Sequence, residues 1–266
     1  MFKPDRWIRQ QSQQKITYEC MIKAGDKVTT PLAGQRFVVG DRSAILTHTG
    51  LSKEAREKIL ALQAGEETEF EDVFFYAVEN KPLISPFVEN IVRTMEVNGV
   101  VTKIPSYGLS SYGYDIRLGR HFKVFSKDAY LYSRKGRVGV AVDLLFDEPP
   151  YEEFEDADYI VLEPHTVALG VSVEKICMPR NVSAICMAKS TFARFGVILD
   201  VTPLEAGWEG YVTLEIFNKN PFPVTIYSGV GAMQLMFVEG ETCDTSYADR
   251  GGKYMDQPPV PVTPKM

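Results

Sequence analysis

The chain has 266 residues, of which 45% are hydrophobic and 24% charged, as is ordinary for a soluble globular protein. Its formal net charge of -6 argues against binding nucleic acid by bulk electrostatics, although a local basic pocket for a small anion is compatible with it. No apolar run reaches the roughly 18 residues that a membrane helix needs, and the start of the chain has no signal-peptide pattern. We therefore expect a cytoplasmic protein with reduced cysteines that binds neither nucleic acid nor membranes.

The first 82 residues divide into a short helix and a segment of mixed character. Residues 4–14 predict a helix that begins after Pro4 and Asp5, with Trp7 and Ile8 as its apolar anchors. Residues 15–82 contain the strand-like runs QRFVVG, SAILTHT and DVFFYAVE and the helix-like run SKEAREKILALQAGEE. We expect these residues to form a small α+β insertion of unknown role.

From residue 83 onward the pattern is nearly all strand. Short β-branched or aromatic runs are separated by Gly, Pro, Asn or Asp, namely HFKVF, RVGVAVDLL, YIVLE, TVALGVSV, VSAICMA, GVILDV, YVTLEIF, PVTIYS and AMQLMFV. Many short strands at close spacing predict a β-barrel or sandwich over residues 83–240, followed by a tail over residues 241–266. The acidic stretch DEPPYEEFEDAD predicts a solvated loop, with a metal site as the less favoured alternative.

The run GYVTLEIFN has the alternation of a strand but carries a carboxylate on a face that does not look solvated. Glu215 shares its side with Tyr211, Thr213 and Phe217. Such a carboxylate is costly unless it is paired or used. A buried salt bridge and a functional acid are both compatible with the pattern.

The run AKSTFARFG lies between two predicted strands. Ser190 or Thr191 can cap a one-turn helix that Gly196 ends, which puts Arg194 on the same face as Ser190. Together with Lys189, the free backbone N–H groups and hydroxyls would form a compact anion site. The alternative is an ordinary capped turn with surface cations.

Two further segments have polar patterns. The run SSYGYDIRLGRHF favours a structural turn with a buried pair between Asp115 and Arg117. The tail TSYADRGGKYMDQPPVPVTP is either a flexible cover that closes over a ligand or a disordered terminus. Its hydroxyl, cationic and amide groups belong to Tyr247, Arg250, Lys253, Tyr254 and Gln257.

Several common motifs are absent. The H-x-E and P-C-x-x-C motifs of zinc-dependent nucleobase deaminases do not occur, and neither do the Walker and Rossmann glycine motifs. The three histidines, His48, His121 and His165, do not cluster along the chain. These absences argue against a catalytic zinc.

Five segments in order, SSYGYDIR, KSTFARFG, VTP, WEGYVTLEIFN and TSYADRGGKY, resemble the dCTP deaminase family of the dUTPase-like superfamily. The resemblance covers residues 83–257 and includes the helix DRWIRQQ, whereas residues 15–82 have no counterpart in compact members. It implies a homotrimer with a mainly β, dUTPase-like distorted jelly-roll or β-barrel core. The implied reaction is zinc-free hydrolysis of dCTP to dUTP and ammonia, which feeds dUMP and dTTP synthesis. Mg²⁺ would accompany the nucleotide, and dTTP is a candidate inhibitor because such feedback is common in the family.

The resemblance also implies roles for individual residues. Glu215 would be the general base and then general acid, acting on a water held by Ser190 and Arg194. The resemblance implies that the backbone of Val201–Pro203 faces the base. Beyond this segment some members carry a His-Arg-Ile-Asp-type sequence, where this chain has the shorter PLEAG. The implied nucleotide-binding residues are Lys189, Thr191, Val201, Thr202, Pro203, Trp208, Tyr247, Lys253, Tyr254 and Gln257.

Two alternative functions stay open. A bifunctional member of the family would also cleave dUTP to dUMP and diphosphate, and Glu205 is its candidate second acid. A regulator that binds nucleotide without catalysis is disfavoured, because the set formed by Lys189, Ser190, Arg194 and Glu215 is intact.

Overall fold

The computed structural model describes residues 1–13, 17–22, 27–28, 36–40, 68–69, 74–79, 81–125 and 150–265. The chain divides into two compact units, one formed by Met1–Gln13 with Leu83–Met266 and the other by Gln14–Pro82. We call the first unit the core and the second the insertion.

The described part of the insertion consists of β-strands. These are β1 (Thr17–Ile22), β2 (Lys27–Val28), β3 (Arg36–Gly40), β4 (Thr68–Glu69) and β5 (Phe74–Glu79). Strand β5 lies between β1 and β3, and β2 pairs with β4, all antiparallel. The strands predicted in QRFVVG and DVFFYAVE are confirmed, whereas SAILTHT and the predicted helix lie outside the described residues.

The core begins with helix α1 (Asp5–Gln13), as the sequence predicts. Ile8 is fully buried, and the ring of Trp7 packs against Phe237 with 6.3 Å between ring centroids. The backbone N–H of Leu83 donates to the carbonyl of Gln11 at 3.0 Å. The two core segments that flank the insertion are therefore adjacent.

The rest of the core is almost entirely β, which confirms the predicted fold class. Its strands are β6 (Ile84–Ser85), β7 (Val92–Val97), β8 (Val100–Ser110), β9 (Gly113–Phe125), β10 (Tyr151–Phe154), β11 (Tyr159–Leu162), β12 (Val167–Cys177), β13 (Val182–Ala188), β14 (Val197–Asp200), β15 (Glu209–Asn218), β16 (Val224–Tyr227) and β17 (Gly231–Glu239). A one-turn helix, α2 (Ser190–Arg194), joins β13 to β14.

Ten strands within the described residues form one antiparallel sheet, whose main path runs β13-β17-β9-β12-β15-β14. Strands β6, β7, β8 and β10 branch from this path, and β11 pairs separately with β16. Ala184 of β13 exchanges two backbone hydrogen bonds of 2.9 Å with Leu204, just beyond β14. The sheet therefore curls into a half-barrel with its first and last strands near each other.

Strand β15 has one apolar face and one mixed face. Val212, Leu214 and Ile216 are at most 2% exposed and belong to the hydrophobic core, whereas the alternate residues are half-buried. Burying such side chains contributes about 1.5–3 kcal/mol each, which fixes the strand's orientation. The face that carries Glu215 consequently points away from the main core.

Part of the acidic stretch is a strand, so the prediction of a solvated loop is wrong for Tyr151–Phe154. The ring of Tyr151 packs edge-on against Phe125 at 6.3 Å between ring centroids, and Glu153 contacts the ring of His121 at 2.9 Å. These contacts align β10 with β9. The sequence patterns also missed the hairpin formed by β7 and β8.

Two aspartates that follow β10 form ion pairs. Asp156 and Asp158 contact the guanidinium of Arg120 at 2.5 Å each. Within the described ranges, no group of three or more His, Cys, Asp or Glu side chains is arranged to hold a metal ion. None of the described helices is long and apolar enough to span a membrane.

Candidate active site

Glu215 lies at the centre of three adjacent strands. It stands directly opposite Asp200 of β14 on one side and Leu169 of β12 on the other. Residues directly opposite each other in an antiparallel pair point to the same face. The carboxyl groups of Glu215 and Asp200 are therefore neighbours on the half-buried face of β15.

The surroundings of Glu215 favour its protonated form. Burial raises the pKa of Glu215 from 4.5 to about 7, a backbone hydrogen bond opposes this, and the nearby charge of Asp200 adds to it. Among the described residues its carboxylate has no ion-pair partner. A carboxyl group that titrates near neutral pH can both accept and donate a proton.

The thiol of Cys186 on β13 lies near enough to Glu215 for the two groups to interact electrostatically. Burial raises the pKa of Cys186 to about 12, with the charge of Glu215 contributing in the same direction. This thiol is consequently protonated at neutral pH and adds no further charge beside the carboxylate.

The segment Val201–Pro203 passes beside the two carboxyl groups. Its first backbone N–H, that of Val201, donates to Asp200 Oδ1 at 3.0 Å. Its far end is held by the paired backbones of Leu204 and Ala184. Thr202 and Pro203 are exposed between these two anchors, so the backbone of this segment is open to a ligand.

The tail runs along β15 in the space beyond the end of β14. The N–H of Tyr211 donates to the carbonyl of Gln257 at 3.1 Å, and the hydroxyl of Thr213 donates to Gln257 Oε1 at 2.8 Å. The N–H of Asp256 donates to the carbonyl of Glu209 at 2.9 Å. The interpretation of this segment as a disordered terminus is therefore wrong.

Trp208, a buried residue of the core, holds the tail by a hydrogen bond. It is 5% exposed, and its indole N–H donates to the carbonyl of Tyr254 at 2.8 Å. The N–H of Tyr254 in turn donates to the hydroxyl of Tyr247 at 2.9 Å. The ammonium of Lys253 donates to the carbonyl of Lys265 at 3.3 Å, so the tail also bonds to itself.

The candidate second acid, Glu205, is exposed and forms an ion pair with Arg250 of the tail. The guanidinium of Arg250 also lies over the ring of Tyr247, 5.3 Å from its centroid. Glu205 therefore contributes to holding the tail.

Helix α2 differs from its prediction at one end. Its N-cap is Lys189 without a side-chain cap, so the predicted cap by Ser190 or Thr191 is wrong. Gly196 follows the helix with φ of +71°, a conformation that favours glycine and confirms its role as the stop. The side chains of Ser190, Thr191 and Arg194 are exposed.

The side chain of Lys189 turns inward, away from the exposed residues of α2. Its ammonium contacts Asp115 Oδ2 at 2.5 Å and Ser106 Oγ at 3.1 Å. Arg117 donates from its backbone N and its Nε to the fully buried Glu174, at 2.8 and 2.7 Å. The predicted Asp115–Arg117 pair is therefore wrong, because each of these residues has a different partner across the sheet.

Sequence reasoning did not identify Glu174 as the partner of Arg117. The available signal was the position of this carboxylate within VSVEKIC, an otherwise mostly apolar strand. Ser172 accompanies it at a bulge in β12, where the Ser172 hydroxyl accepts from the N–H of Val212 at 2.8 Å. This bond replaces a regular ladder contact to β15.

The structure brings one group of predicted residues together and leaves another apart. Val201–Pro203 follow Asp200, which lies opposite Glu215, and Gln257 bonds to Thr213 on the same face of β15, whereas α2 precedes the opposite end of β14. From Val197 to Asp200 that strand spans about 10 Å. The side chain of Arg194 makes no ion pair or hydrogen bond with the described residues. Within one chain, therefore, no ion pair or hydrogen bond between described residues links Arg194 to Glu215.

A cavity of about 1060 Å³ lies between α2, the hairpin of β7 and β8, and β16. Lys189, Thr191, Phe192 and Phe195 line one side of it, and its remaining walls are largely apolar. Two of the predicted nucleotide-binding residues thus face this cavity, whereas Glu215 is not part of its lining.

Comparison with known proteins identifies the family. Residues 88–240 match the model of the family described as dCTP deaminase-like. The dCTP deaminase of Acinetobacter baumannii (strain AYE) is 44% identical over 180 residues, which cover 67% of this chain and 89% of that protein. The dCTP deaminase of Leptothrix cholodnii is 47% identical over 176 residues, covering 66% of this chain and 87% of the relative.

A solved structure, that of the 2'-deoxycytidine 5'-triphosphate deaminase from Agrobacterium tumefaciens, is 17% identical with a TM-score of 0.36. It covers 56% of this chain, which in turn covers 43% of it. The family model and the curated relatives define an enzyme class, that of deaminases and their homologues. The chain belongs to the dCTP deaminase-like family.

Proposed function

We propose that this protein is a dCTP deaminase, which hydrolyses dCTP to dUTP and ammonia without zinc. Its family membership supports the reaction class. The observation that carries the assignment of the catalytic residue is Glu215, a half-buried carboxyl group with a pKa raised to about 7 beside an open backbone segment. This group is the acid–base catalyst.

The reaction needs a proton to leave water and a proton to reach the departing ammonia. Ionised Glu215 accepts the proton of the attacking water, and protonated Glu215 then delivers it to the amino group of the base. The C–O bond to water forms at the ring carbon that bears the amino group, and the C–N bond breaks as ammonia leaves. Acid–base catalysis of this kind accelerates a reaction by about 10²–10⁴-fold.

Ser190 and Arg194 of a neighbouring copy hold the attacking water, and the protein is a homotrimer with shared sites. Support comes from the separation of α2 and Glu215 along β14 within one chain, and from the exposed, unpartnered Arg194. The flanking apolar side chains Phe195 and Ile198 are 70% and 43% exposed, which suits burial against a second copy. Arg194 would orient Glu215 without forming a permanent pair in the free chain.

The nucleotide binds between these elements. The backbone of Val201–Pro203 faces the base, Thr191 contacts the phosphates, and the tail closes over the triphosphate. Mg²⁺ accompanies the phosphates and neutralises part of their charge. The tail residues proposed to contact nucleotide are Tyr247, Lys253, Tyr254 and Gln257, with Trp208 supporting them from below.

One incubation tests the proposal and separates it from its alternatives. The protein is mixed with dCTP and Mg²⁺, and the products are resolved by ion-exchange chromatography with a parallel ammonia assay. Ammonia and dUTP in equal amounts support the proposal, and dUMP with diphosphate indicates the bifunctional enzyme. Unchanged dCTP that nevertheless binds by calorimetry would indicate a regulator and contradict the proposal.

A further inference from the structure

The tail leaves the core beside Arg180, which lies in the turn between β12 and β13. We call residues 243–252 the base of the tail. The N–H of Cys243, its first residue, donates to the carbonyl of Arg180 at 3.2 Å. Shortly before it, the N–H of Gly240 donates to the carbonyl of Asn181 at 2.9 Å. The turn before β13 therefore fixes the point at which the tail starts.

The side chain of Arg180 reaches further along the base and meets Asp249 at two points. Its Nη1 donates to Asp249 Oδ1 at 3.0 Å, and its Nη2 contacts Oδ2 at 2.7 Å. The same guanidinium donates to Ser246 Oγ and to the carbonyl of Asp244, both at 3.3 Å. A guanidinium that meets a carboxylate in this forked geometry fixes the orientation of both groups, which a lysine does not.

Asp249 in turn closes the base on itself. Its Oδ2 accepts from the N–H of Ser246 at 2.8 Å, and its own N–H donates to Ser246 Oγ at 3.3 Å. The Arg180 guanidinium and the bond from Ser246 lower the pKa of Asp249 to about 2, so this carboxylate is ionised at neutral pH. Ion pairs at a surface contribute little unless their geometry is bidentate, as it is here. The pair therefore restrains the turn from Ser246 to Asp249.

The ring of Tyr247 depends on this turn for its position. The N–H of Tyr247 donates to the carbonyl of Ala206 at 2.9 Å, and its hydroxyl accepts from the N–H of Tyr254 at 2.9 Å. Gly252 lies so close to the ring that a Cβ at this position would clash with it. Displacing the turn that Arg180 holds would consequently displace the ring as well.

We propose that Arg180 is a positioning residue for the nucleotide site, which acts through Asp249 to hold Tyr247 where it meets the nucleotide. The guanidinium acts within the chain, since the contacts given above all run to the base of the tail. The inference rests on the proposed function for the role of Tyr247, whereas the restraint on the base does not depend on it.

Hydrogen exchange tests the restraint without using the reaction. The amides of Ser246, Tyr247 and Gly252 are hydrogen-bonded in the base, so their exchange reports its opening. Mass spectrometry of a peptide that covers residues 243–252 would compare the wild type with Arg180→Met. We expect exchange at least about tenfold faster in the variant, with β15 unchanged. Unchanged protection of the base would overturn the proposal.

Arg120→Met is the matched control for the loss of an arginine. Arg120 also contacts two carboxylates, those of Asp156 and Asp158, neither of which belongs to the tail. We expect this variant to leave exchange of the base at the wild-type rate. Equally fast exchange in Arg120→Met would show that the effect is not specific to Arg180 and would contradict the assignment.

Steady-state kinetics with dCTP separate positioning from direct contact with the nucleotide. If Arg180 acts through Asp249, Arg180→Met and Asp249→Asn each raise KM by about tenfold and keep kcat within about 3-fold, because lost binding that is equal in the ground and transition states changes KM alone. The double variant should be no worse than either single variant, since the two residues act as a unit. If Arg180 contacted the phosphates instead, Asp249→Asn would free its guanidinium and leave KM unchanged or lower, which would contradict the inference.

Arg180→Lys tests whether the forked contact matters beyond its charge. Lysine keeps the charge but cannot meet a carboxylate at two points, so we expect a KM for dCTP nearer to that of Arg180→Met than to that of the wild type. A wild-type KM in Arg180→Lys would contradict the role of the fork. If the wild type releases no ammonia, the proposed function fails, whereas hydrogen exchange still decides the restraint on the base.

Discussion

At the scale of the residue, the proposed mechanism depends on one carboxyl group, Glu215, which lies in unusual surroundings. Glu215 lies on the half-buried face of a strand, opposite another acid and without an ion-pair partner in the described part of the chain. Burial and the charge of Asp200 both favour the neutral form, so the group changes its protonation near neutral pH. This is the behaviour expected of a group that must accept a proton and return it.

Replacing Glu215 by Gln should abolish proton transfer while keeping the shape of the site. We expect ammonia release to fall by at least about 10²-fold, with dCTP binding retained. Stopped-time ammonia assays and calorimetric titration of dCTP measure the two effects. Glu209→Gln is a matched control on the same face of the same strand, where the carboxylate pairs with Lys175 at 2.5 Å. A Glu215→Gln enzyme that releases ammonia from dCTP at the wild-type rate would contradict the proposed mechanism.

The pH dependence of the reaction should follow the ionisation of Glu215. Because the ionised form is the base and the pKa is raised to about 7, kcat/KM should fall as the pH falls through about 7. Asp200→Asn removes a charge that raises this pKa, so the midpoint should shift to lower pH. Rates measured from pH 5 to 9 give both midpoints. An identical or higher midpoint in Asp200→Asn would show that Asp200 does not act on Glu215.

At the scale of the element, the tail is ordered against β15 although its composition is also typical of a disordered terminus. Its glycines and prolines are compatible with disorder, yet Gln257 and Asp256 bond to the edge of β15 that β14 leaves free. Trp208 adds a hydrogen bond from the core, and Glu205 an ion pair from the surface. An unpaired strand edge supplies donors and acceptors, so a segment without a strand pattern can still be ordered against it.

Trp208→Phe should loosen the tail while preserving most of the ring packing. The variant loses the 2.8 Å hydrogen bond to the carbonyl of Tyr254, worth about 0.5–1.5 kcal/mol. We expect faster trypsin cleavage after Lys253 and a higher KM for dCTP, with kcat less affected. The control Trp7→Phe alters the other tryptophan of the core, which lies on α1. Equal cleavage rates in wild type and Trp208→Phe would contradict this role for the indole.

At the scale of the whole molecule, we propose that the site is divided between copies, which mixed assemblies of two variants would test. Glu215→Gln and Arg194→Ala chains are each expected to be nearly inactive alone. After both are unfolded and refolded together, some sites should combine an intact Glu215 with an intact Arg194 from another copy and recover activity. If mixtures stay as inactive as the separate variants, although light scattering shows trimers, the two residues do not come from different copies.

The insertion should be removable, because the core segments on its two sides are already adjacent. Leu83 and Gln11 share a 3.0 Å backbone hydrogen bond, so a short glycine linker can replace residues 14–82. We expect the shortened chain to keep the oligomeric mass and dCTP turnover of the full protein. Size-exclusion chromatography with light scattering and the ammonia assay measure both. A monomeric or inactive product would instead assign the insertion to assembly or catalysis.

Sequence patterns alone predict the strands from β11 to β17 and show that Glu215 is anomalous. Periodicity reports burial directly, and buried positions alternate with half-buried ones along the whole length of β15. The family resemblance, now supported by the match over residues 88–240, then assigned Glu215 a role. Acidic composition misled the prediction for β10, because aromatic contacts with neighbouring strands outweigh a local surplus of charge.

Which charged side chains pair with each other depends on the fold rather than on their distance along the chain. Asp115 and Arg117 are two residues apart and share a strand, but their partners are Lys189 and Glu174, which lie more than 50 positions further along the chain. Strand pairing likewise places Asp200 opposite Glu215, and the course of the tail places Gln257 beside Thr213. Pairing across a curled sheet depends on strand order and register, which local patterns do not specify. The sequence therefore revealed the unusual carboxylate, and the fold revealed what surrounds it.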